Sequence, residues 1–359
     1  MKIYIISGEK SGDIYGGSLI TSIKKLSPES IFRGCGGDKM RESGLEIVKH
    51  IRDFSFMGFL DVICNLRKIN YILSFCKKDI IQFNPDVIIL IDFPGFNMRI
   101  AKFAKKIGIK VLYYIPPKLW AWNKKRIHKI KKYVDEIIVI FPFEVKFYKK
   151  FNINARYFGN PLYEQLTRDI EKISRSKPII SILPGSRKQE VKRNLPIMTS
   201  VTNSYPDYHF IIATTNEMEV ICKKIIEGKK NIELVVDKTY SVLKSSKLSI
   251  ITSGTATLEA GLLQIPQIVC YKTDYITYYL AKLFIKIKWI SLVNILNNKK
   301  VVKELIQFNF NEASLKKEIN ILLSEKQSVK LIDEYKELIS SLKSKKNSKD
   351  LANFILNQF

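Results

Sequence analysis

The run Leu248-Ser249-Ile250-Ile251-Thr252-Ser253-Gly254-Thr255-Ala256-Thr257-Leu258-Glu259 passes from an apolar strand through a turn of small residues into the start of a helix. Small side chains in such a turn leave backbone N–H groups open to a ligand. The helix N-terminus adds partial positive charge, so Ser253, Gly254 and Thr255 suit a diphosphate. Glu259 follows Thr255 by one helical turn, where a carboxylate can accept hydrogen bonds from ribose hydroxyls beside the phosphates. Taken alone, the same residues also describe an ordinary Ser/Thr helix cap with a surface glutamate.

A second strand and turn lie upstream, Ile179-Ile180-Ser181-Ile182-Leu183-Pro184-Gly185-Ser186-Arg187. Gly185 and Ser186 in this turn are candidate substrate-binding residues, and Arg187 can pair bidentately with a phosphate. Two strand-to-helix turns with anion-binding groups, in one half of the chain, are expected where an open α/β sheet binds a nucleotide at its carboxyl edge. The N-terminal half repeats the rhythm. Ile3-Tyr4-Ile5-Ile6 leads into Ser7-Gly8-Glu9-Lys10-Ser11-Gly12-Asp13, and Val87-Ile88-Ile89-Leu90-Ile91 ends at Asp92-Phe93-Pro94-Gly95-Phe96-Asn97. Val111-Leu112-Tyr113-Tyr114-Ile115 and Ile137-Ile138-Val139-Ile140 are two further strands, the latter closed by Phe141-Pro142-Phe143-Glu144. Strands alternating with helices predict parallel sheets with ligands bound beyond the strands' carboxyl ends.

Gly8-Glu9-Lys10-Ser11-Gly12-Asp13, Ile91-Asp92-x-Pro94-x-Phe96-Asn97, Trp120-Ala121-Trp122, Leu183-Pro184-Gly185-Ser186-Arg187, Ser253-Gly254-Thr255-Ala256-Thr257-Leu258-Glu259 and Ser291-Leu292-x-Asn294-x-Leu296 occur in this order. Together they resemble the lipid-A-disaccharide synthase family across most of the chain, with departures at Gly95, Pro116, Lys118, Asn160 and Val293. The resemblance implies an α/β protein of the GT-B type, two Rossmann-like domains with parallel sheets facing across a cleft. It implies an inverting glycosyltransferase that joins UDP-2,3-diacylglucosamine to 2,3-diacylglucosamine 1-phosphate (lipid X), giving a β-1,6-linked disaccharide 1-phosphate and UDP. It also suggests a homodimer. The expected division is 1–165 for the acceptor domain, with the last helix, about 335–359, returning to it, and 166–334 for the UDP-sugar domain.

Direct displacement at the anomeric carbon requires a base, because an acceptor hydroxyl is a weak nucleophile at neutral pH. Asp92 ends a buried strand and is the candidate, with a helix cap as its other reading. Glu9, Ser11 and Asp13 in the first loop either shape it or hold acceptor hydroxyls. Arg187 is expected to stabilise the leaving UDP, and Asn294 to hydrogen-bond the donor diphosphate or sugar, or else to cap a loop. No cofactor is expected. The three histidines are scattered and no Asp-x-Asp occurs, so no metal site is expected either. Gly8, Gly12 and Gly16 are spaced by four, unlike a dinucleotide fingerprint, which argues against an oxidoreductase. Two other classes stay open: another GT-B enzyme, such as a UDP-N-acetylglucosamine 2-epimerase or a peptidoglycan glycosyltransferase, and a non-catalytic basic nucleotide-binding protein.

Five cysteines without Cys-x-x-Cys spacing fit a reducing compartment better than a disulfide framework. No run approaches the roughly 18 to 20 apolar residues that span a bilayer, and no signal peptide is read at the N-terminus. Sixty Lys and Arg against 34 Asp and Glu give a net charge of +26, which either reflects biased composition or favours an anionic partner. The segment 118–132 carries seven Lys or Arg and no acid. It lacks the spaced aromatics of a single-strand binder, so anionic lipid fits better than nucleic acid. The expectation is a cytoplasmic protein, peripheral on the inner membrane. The stretch 54–76, with Phe56, Met57 and Phe59 near Arg67, Lys68, Lys77 and Lys78, reads either as an interfacial or acyl-chain element or as core. The stretch 275–289 reads as an ordinary packed helix.

Overall fold

Strands buried on both faces read as near-continuous apolar runs: Val87–Ile91 is unbroken, Ile179–Leu183 is interrupted only by Ser181, and both are buried at every position. The computed structural model describes residues 1–53, 65–120, 126–167, 169–284 and 288–359. Phe56, Met57 and Phe59 lie outside the described residues, as do Ala121 and Trp122.

The first sheet has seven strands: β1 (Lys2–Ser7), β2 (Ile31–Gly36), β3 (Glu46–His50), β4 (Val87–Ile91), β5 (Lys110–Tyr114), β6 (Glu136–Val139) and β7 (Ala155–Tyr157). They are all parallel, in the order β3-β2-β1-β4-β5-β6-β7. The second has six: β8 (Ile179–Leu183), β9 (His209–Thr214), β10 (Ile232–Val236), β11 (Ser246–Thr252), β12 (Gln267–Tyr271) and β13 (Lys303–Ile306). These too are parallel, in the order β10-β9-β8-β11-β12-β13. Strand order reverses between β1 and β4 in one sheet and between β8 and β11 in the other. A crevice opens at such switch points, beyond the carboxyl ends of the strands.

The chain forms two compact units, Met1–Pro161 with Leu342–Phe359, and Leu162–Ser341. The first packs Ile6, Ile88, Leu90, Ile100 and Tyr113 between sheet and helices. The second does the same with Ile180, Leu195, Phe210, Ile250 and Ile268. The last helix, Ser348–Gln358, belongs to the first unit. Asn347 caps it by accepting hydrogen bonds from the N–H groups of Lys349 and Asp350 at 2.9 and 3.3 Å, and Leu351, Ala352 and Ile355 are buried. Within the stretch expected to be an ordinary packed helix, the helix Tyr275–Phe284 leaves the rings of Tyr275 and Tyr279 exposed. No helix of the described residues is long and apolar enough to cross a membrane.

Candidate active site

At the β1/β4 switch point, Gly8 is buried, and a side chain added there would start 2.3 Å from the ring of Phe93. Glu9 takes the N-cap position of the helix Lys10–Leu26. Ser11, in the first turn of that helix, is half-buried. Asp13 is buried and accepts hydrogen bonds from the N–H groups of Gly37, Lys39 and Met40 at 2.8, 3.0 and 3.0 Å. It holds the turn after β2, the loop-shaping alternative of its two readings.

Asp92 and Phe93 both have φ of +47°, in the left-handed region that costs a non-glycine residue about 1 to 3 kcal/mol. Hydrogen bonds hold this backbone in place. The Asp92 carbonyl accepts from Asn97 Nδ2 and the Tyr113 hydroxyl, each at 2.8 Å, and its N–H donates to the Ile115 carbonyl at 3.2 Å. Phe93, rather than Asp92, occupies the cap position of the following helix, Pro94–Lys106, and no side chain caps it. Burial pushes the Asp92 carboxyl above the ordinary carboxylate range, opposed by the charge of Lys118 and the N–H of Phe93.

Glu144 is a carboxylate the sequence reading passed over. It sits in the first turn of the helix Pro142–Lys149 and is buried. Its Oε1 accepts the Trp120 indole N–H at 3.0 Å and its Oε2 the Phe141 N–H at 3.2 Å. Burial pushes it up to about 7 against those two donors and the charge of Lys118. Proline at the first helical position with glutamate two residues later marks a helix start, but nothing local shows that this glutamate is buried.

At the β8/β11 switch point, Gly185 has φ of +105°, open to glycine alone without strain, and a side chain there would meet Glu190 Oε2 at 2.6 Å. Ser186 and Arg187 are exposed, and Arg187 pairs with Glu190 at 2.7 Å. The turn after β11 presents Gly254, exposed and with no atom nearer than the Thr252 carbonyl at 4.0 Å to a side chain added there, ahead of the helix Thr255–Leu262. Ser253 Oγ donates to the Ile290 carbonyl at 2.9 Å, and Thr257 Oγ1 accepts from the Leu292 N–H at 3.2 Å. These bonds tie residues 290–292 to the turn. Glu259 is half-buried, its carboxyl makes no hydrogen bond or ion pair among the described residues, and burial pushes that carboxyl up to about 7. β8 pairs with β11, so the turns bearing Arg187 and Ser253–Glu259 are neighbours.

Asn294 is fully buried beside this turn, and every hydrogen-bonding position of its amide is taken. Oδ1 accepts from Val301 and Val302 at 2.7 and 2.8 Å, while Nδ2 donates to the Val302 carbonyl and to Glu304 Oε1 at 3.0 and 2.9 Å. The placement matches its loop-capping reading and leaves the amide nothing free for a donor. Glu304, also missed in the sequence, accepts the N–H groups of Ile290 and Ser291 at 3.1 and 2.9 Å and so orders the same loop. Among the described residues no three His, Cys, Asp or Glu side chains cluster as a metal site would require.

The family model described as lipid-A-disaccharide synthetase matches residues 3–357. The chain belongs to the lipid-A-disaccharide synthase family. Relatives include lipid-A-disaccharide synthase 1 of Legionella pneumophila strain Paris, 32% identical over 359 residues, covering 96% of this chain and 94% of the relative. The lipid-A-disaccharide synthase of Coxiella burnetii strain Dugway 5J108-111 is 34% identical over 335 residues, 90% and 89% of the two chains. That of Myxococcus xanthus strain DK1622 is 33% identical over 332 residues, 89% and 87%. The protein is therefore a glycosyltransferase, a hexosyltransferase with a role in lipid A biosynthesis.

Solved structures similar to this lipid-A-disaccharide synthase family member show its fold. S. aureus MnaA with UDP superposes with a TM-score of 0.71 at 12% identity, over 100% of this chain and 97% of that one. The calicheamicin glycosyltransferase CalG4 gives 0.64 at 13%, over 99% and 97%. The UDP-GlcNAc 2-epimerase from Neisseria meningitidis bound to UDP-GlcNAc gives 0.64 at 12%, over 100% and 99%. The fold is GT-B, with two parallel α/β sheets.

Proposed function

We propose that the chain transfers a 2,3-diacylglucosamine unit from its UDP ester to the 6-hydroxyl of 2,3-diacylglucosamine 1-phosphate, with inversion to a β-1,6 linkage. The observation that carries the mechanism is Asp92, a carboxyl at the first sheet's switch point, tied by its backbone in a left-handed conformation and raised in pKa by burial. A carboxylate raised toward neutrality is a better match for a hydroxyl proton than an ordinary one. As the glycosidic bond forms, Asp92 takes the proton of the acceptor hydroxyl while the bond from the anomeric carbon to the diphosphate oxygen breaks. Glu9, at the N-cap of the helix Lys10–Leu26, and Ser11, in its first turn, follow the neighbouring strand β1. At the second sheet, the N–H groups of the Gly254–Thr255 turn, the helix dipole and Arg187 stabilise the charge that develops on departing UDP. Glu259 accepts from the ribose hydroxyls.

Acylated substrates place the reaction at a lipid surface. The net charge of +26 and the apolar residues Phe56, Met57 and Phe59 with their basic neighbours favour peripheral attachment to the cytoplasmic face of the inner membrane, and the family resemblance suggests a homodimer. The test is incubation with UDP-2,3-diacylglucosamine and the 1-phosphate acceptor, with products weighed by mass spectrometry and the linkage assigned by NMR. A β-1,6 disaccharide 1-phosphate is expected. Asp92→Asn should lower turnover by about 10²- to 10⁴-fold while UDP still binds. Turnover near that of the unaltered enzyme in this variant would overturn the assignment of the base.

A further inference from the structure

The segment from Ile115 to Trp120 runs between two fixed ends. At the first, Ile115 has φ of +60°, a conformation that a β-branched side chain rarely adopts. Its N–H donates to the Ile138 carbonyl at 2.9 Å, and its carbonyl accepts the Asp92 N–H at 3.2 Å. At the other end the Trp120 indole donates to buried Glu144 at 3.0 Å and packs edge-on against Phe143, ring centres 5.2 Å apart. Between them, Leu119 is fully buried, its N–H donating to the Pro117 carbonyl at 2.7 Å, while Lys118 is exposed. Strained backbone of this kind persists only where its surroundings fix it from several sides.

We propose that Glu144 is a positioning residue: by holding Trp120 it fixes the loop that carries Lys118, and so sets the Lys118 charge against Asp92. This rests on Asp92 being the base. Lys118 acts electrostatically on both carboxyls, stabilising the ionised form of each. A leucine at 144 would pack, but would leave the indole N–H and the Phe141 N–H without acceptors. The other ionisable groups around the pair are Tyr113, close to Asp92 and Tyr148 and with the positive charge of Arg126 acting on it, and Tyr148, close to Glu144. Both tyrosines are held above their ordinary range by burial and stay neutral through the working pH.

The sign of the effect separates this role from a general one. Losing a nearby negative charge would lower the Asp92 pKa, whereas losing Lys118 from its place raises it. The experiment is the acidic limb of kcat/KM against pH, read in the full-length enzyme. Glu144→Ala and, should it fold poorly, Trp120→Phe are each expected to move that limb upward by roughly one pH unit, and Lys118→Ala is expected to do the same. Glu144→Gln, which keeps an acceptor for the indole, should restore it. Glu144→Ala combined with Lys118→Ala should shift it no further than either alone. A limb that stays or falls in Glu144→Ala and Trp120→Phe, or shifts that add in the double variant, would overturn the proposal, as would an unmoved limb in Lys118→Ala. Persistence of the limb in the residual activity of Asp92→Asn would instead show that Asp92 is not the base, and the positioning role would fall with it.

Discussion

Glu259 and Arg187 show what a residue's type and spacing reveal and what they leave hidden. Both were legible as candidate ligand contacts because each follows an apolar strand and a turn of small residues. That Glu259 is raised to about 7 was not legible, because burial depends on what the fold packs around it. The shift has a functional consequence with a definite sign. A carboxyl accepting from ribose hydroxyls does so best when ionised, so ligand binding draws off its proton, and affinity rises as pH passes upward through about 7. UDP affinity measured by calorimetry should therefore improve between pH 6 and 8 more steeply in the unaltered enzyme than in Glu259→Gln, the latter retaining only the titration of UDP itself. Equal slopes would remove Glu259 from the site. Asp13 and Asn294 mark the opposite limit of reading. Their motif positions suggested ligand contacts, yet Asp13 is bonded to N–H groups 24 to 27 residues away, and the Asn294 amide to Val301, Val302 and Glu304. A polar residue near a site and a polar residue that builds the site have the same local sequence, and only long-range partners tell them apart. Glu144 and Glu304 were missed for the same reason.

At the level of elements, β1, β4, β5 and β6 were readable from apolar runs of four or more residues, and β8 and β11 from apolar stretches interrupted by one serine ahead of a turn of small residues. β2 (Ile31–Gly36) and β3 (Glu46–His50) were not, because Arg33, two glycines, Glu46 and Lys49 interrupt the pattern. Arg33 is accommodated by its bonds to Asp79, at 2.8 to 3.2 Å, a partner far along the chain. What sequence could not show at all is how two turns lock together. The β1 turn and the β4 turn meet where the Phe93 ring lies over Gly8, so the glycine makes room for the residue that follows Asp92. Gly8→Ala would push a methyl group into that ring at 2.3 Å. Overpacking of this kind costs about 1 to 3 kcal/mol, and the less constrained response is for Phe93 to move and carry the Asp92 backbone with it. Turnover is expected to fall at least tenfold with UDP affinity unchanged, because UDP is assigned to the other sheet. A variant that keeps full turnover would show that Asp92 is positioned independently of the Phe93 contact.

Across the whole molecule, the two units each contain a complete sheet and core, but the first is not continuous in sequence: it ends at Pro161 and resumes at Leu342. The returning helix Ser348–Gln358 buries Leu351, Ala352 and Ile355, while Phe354 lies 5.4 Å from the ring of Phe158 and under the Arg156 guanidinium at 4.7 Å. It packs against the helix Lys10–Leu26, the one that opens with Glu9, Ser11 and Asp13. The last residues of the chain thus support a candidate acceptor loop at its beginning. Truncating a buried Leu or Ile to Ala costs about 2 to 5 kcal/mol, so Leu351→Ala with Ile355→Ala removes roughly 4 to 10 kcal/mol, comparable to the 5 to 15 kcal/mol that holds a typical domain folded. The loss should fall on the first unit. Hydrogen exchange is expected to show faster exchange through β1, β4 and β5, with β8 and β11 still protected, and UDP should bind with near-normal affinity while disaccharide synthesis fails. Added UDP should further protect the second unit only, by about 2.7 kcal/mol at a hundredfold excess over Kd. Should UDP binding disappear together with protection of the first sheet, the two cores would be one cooperative folding unit, and the placement of donor binding wholly in Leu162–Ser341 would have to be abandoned.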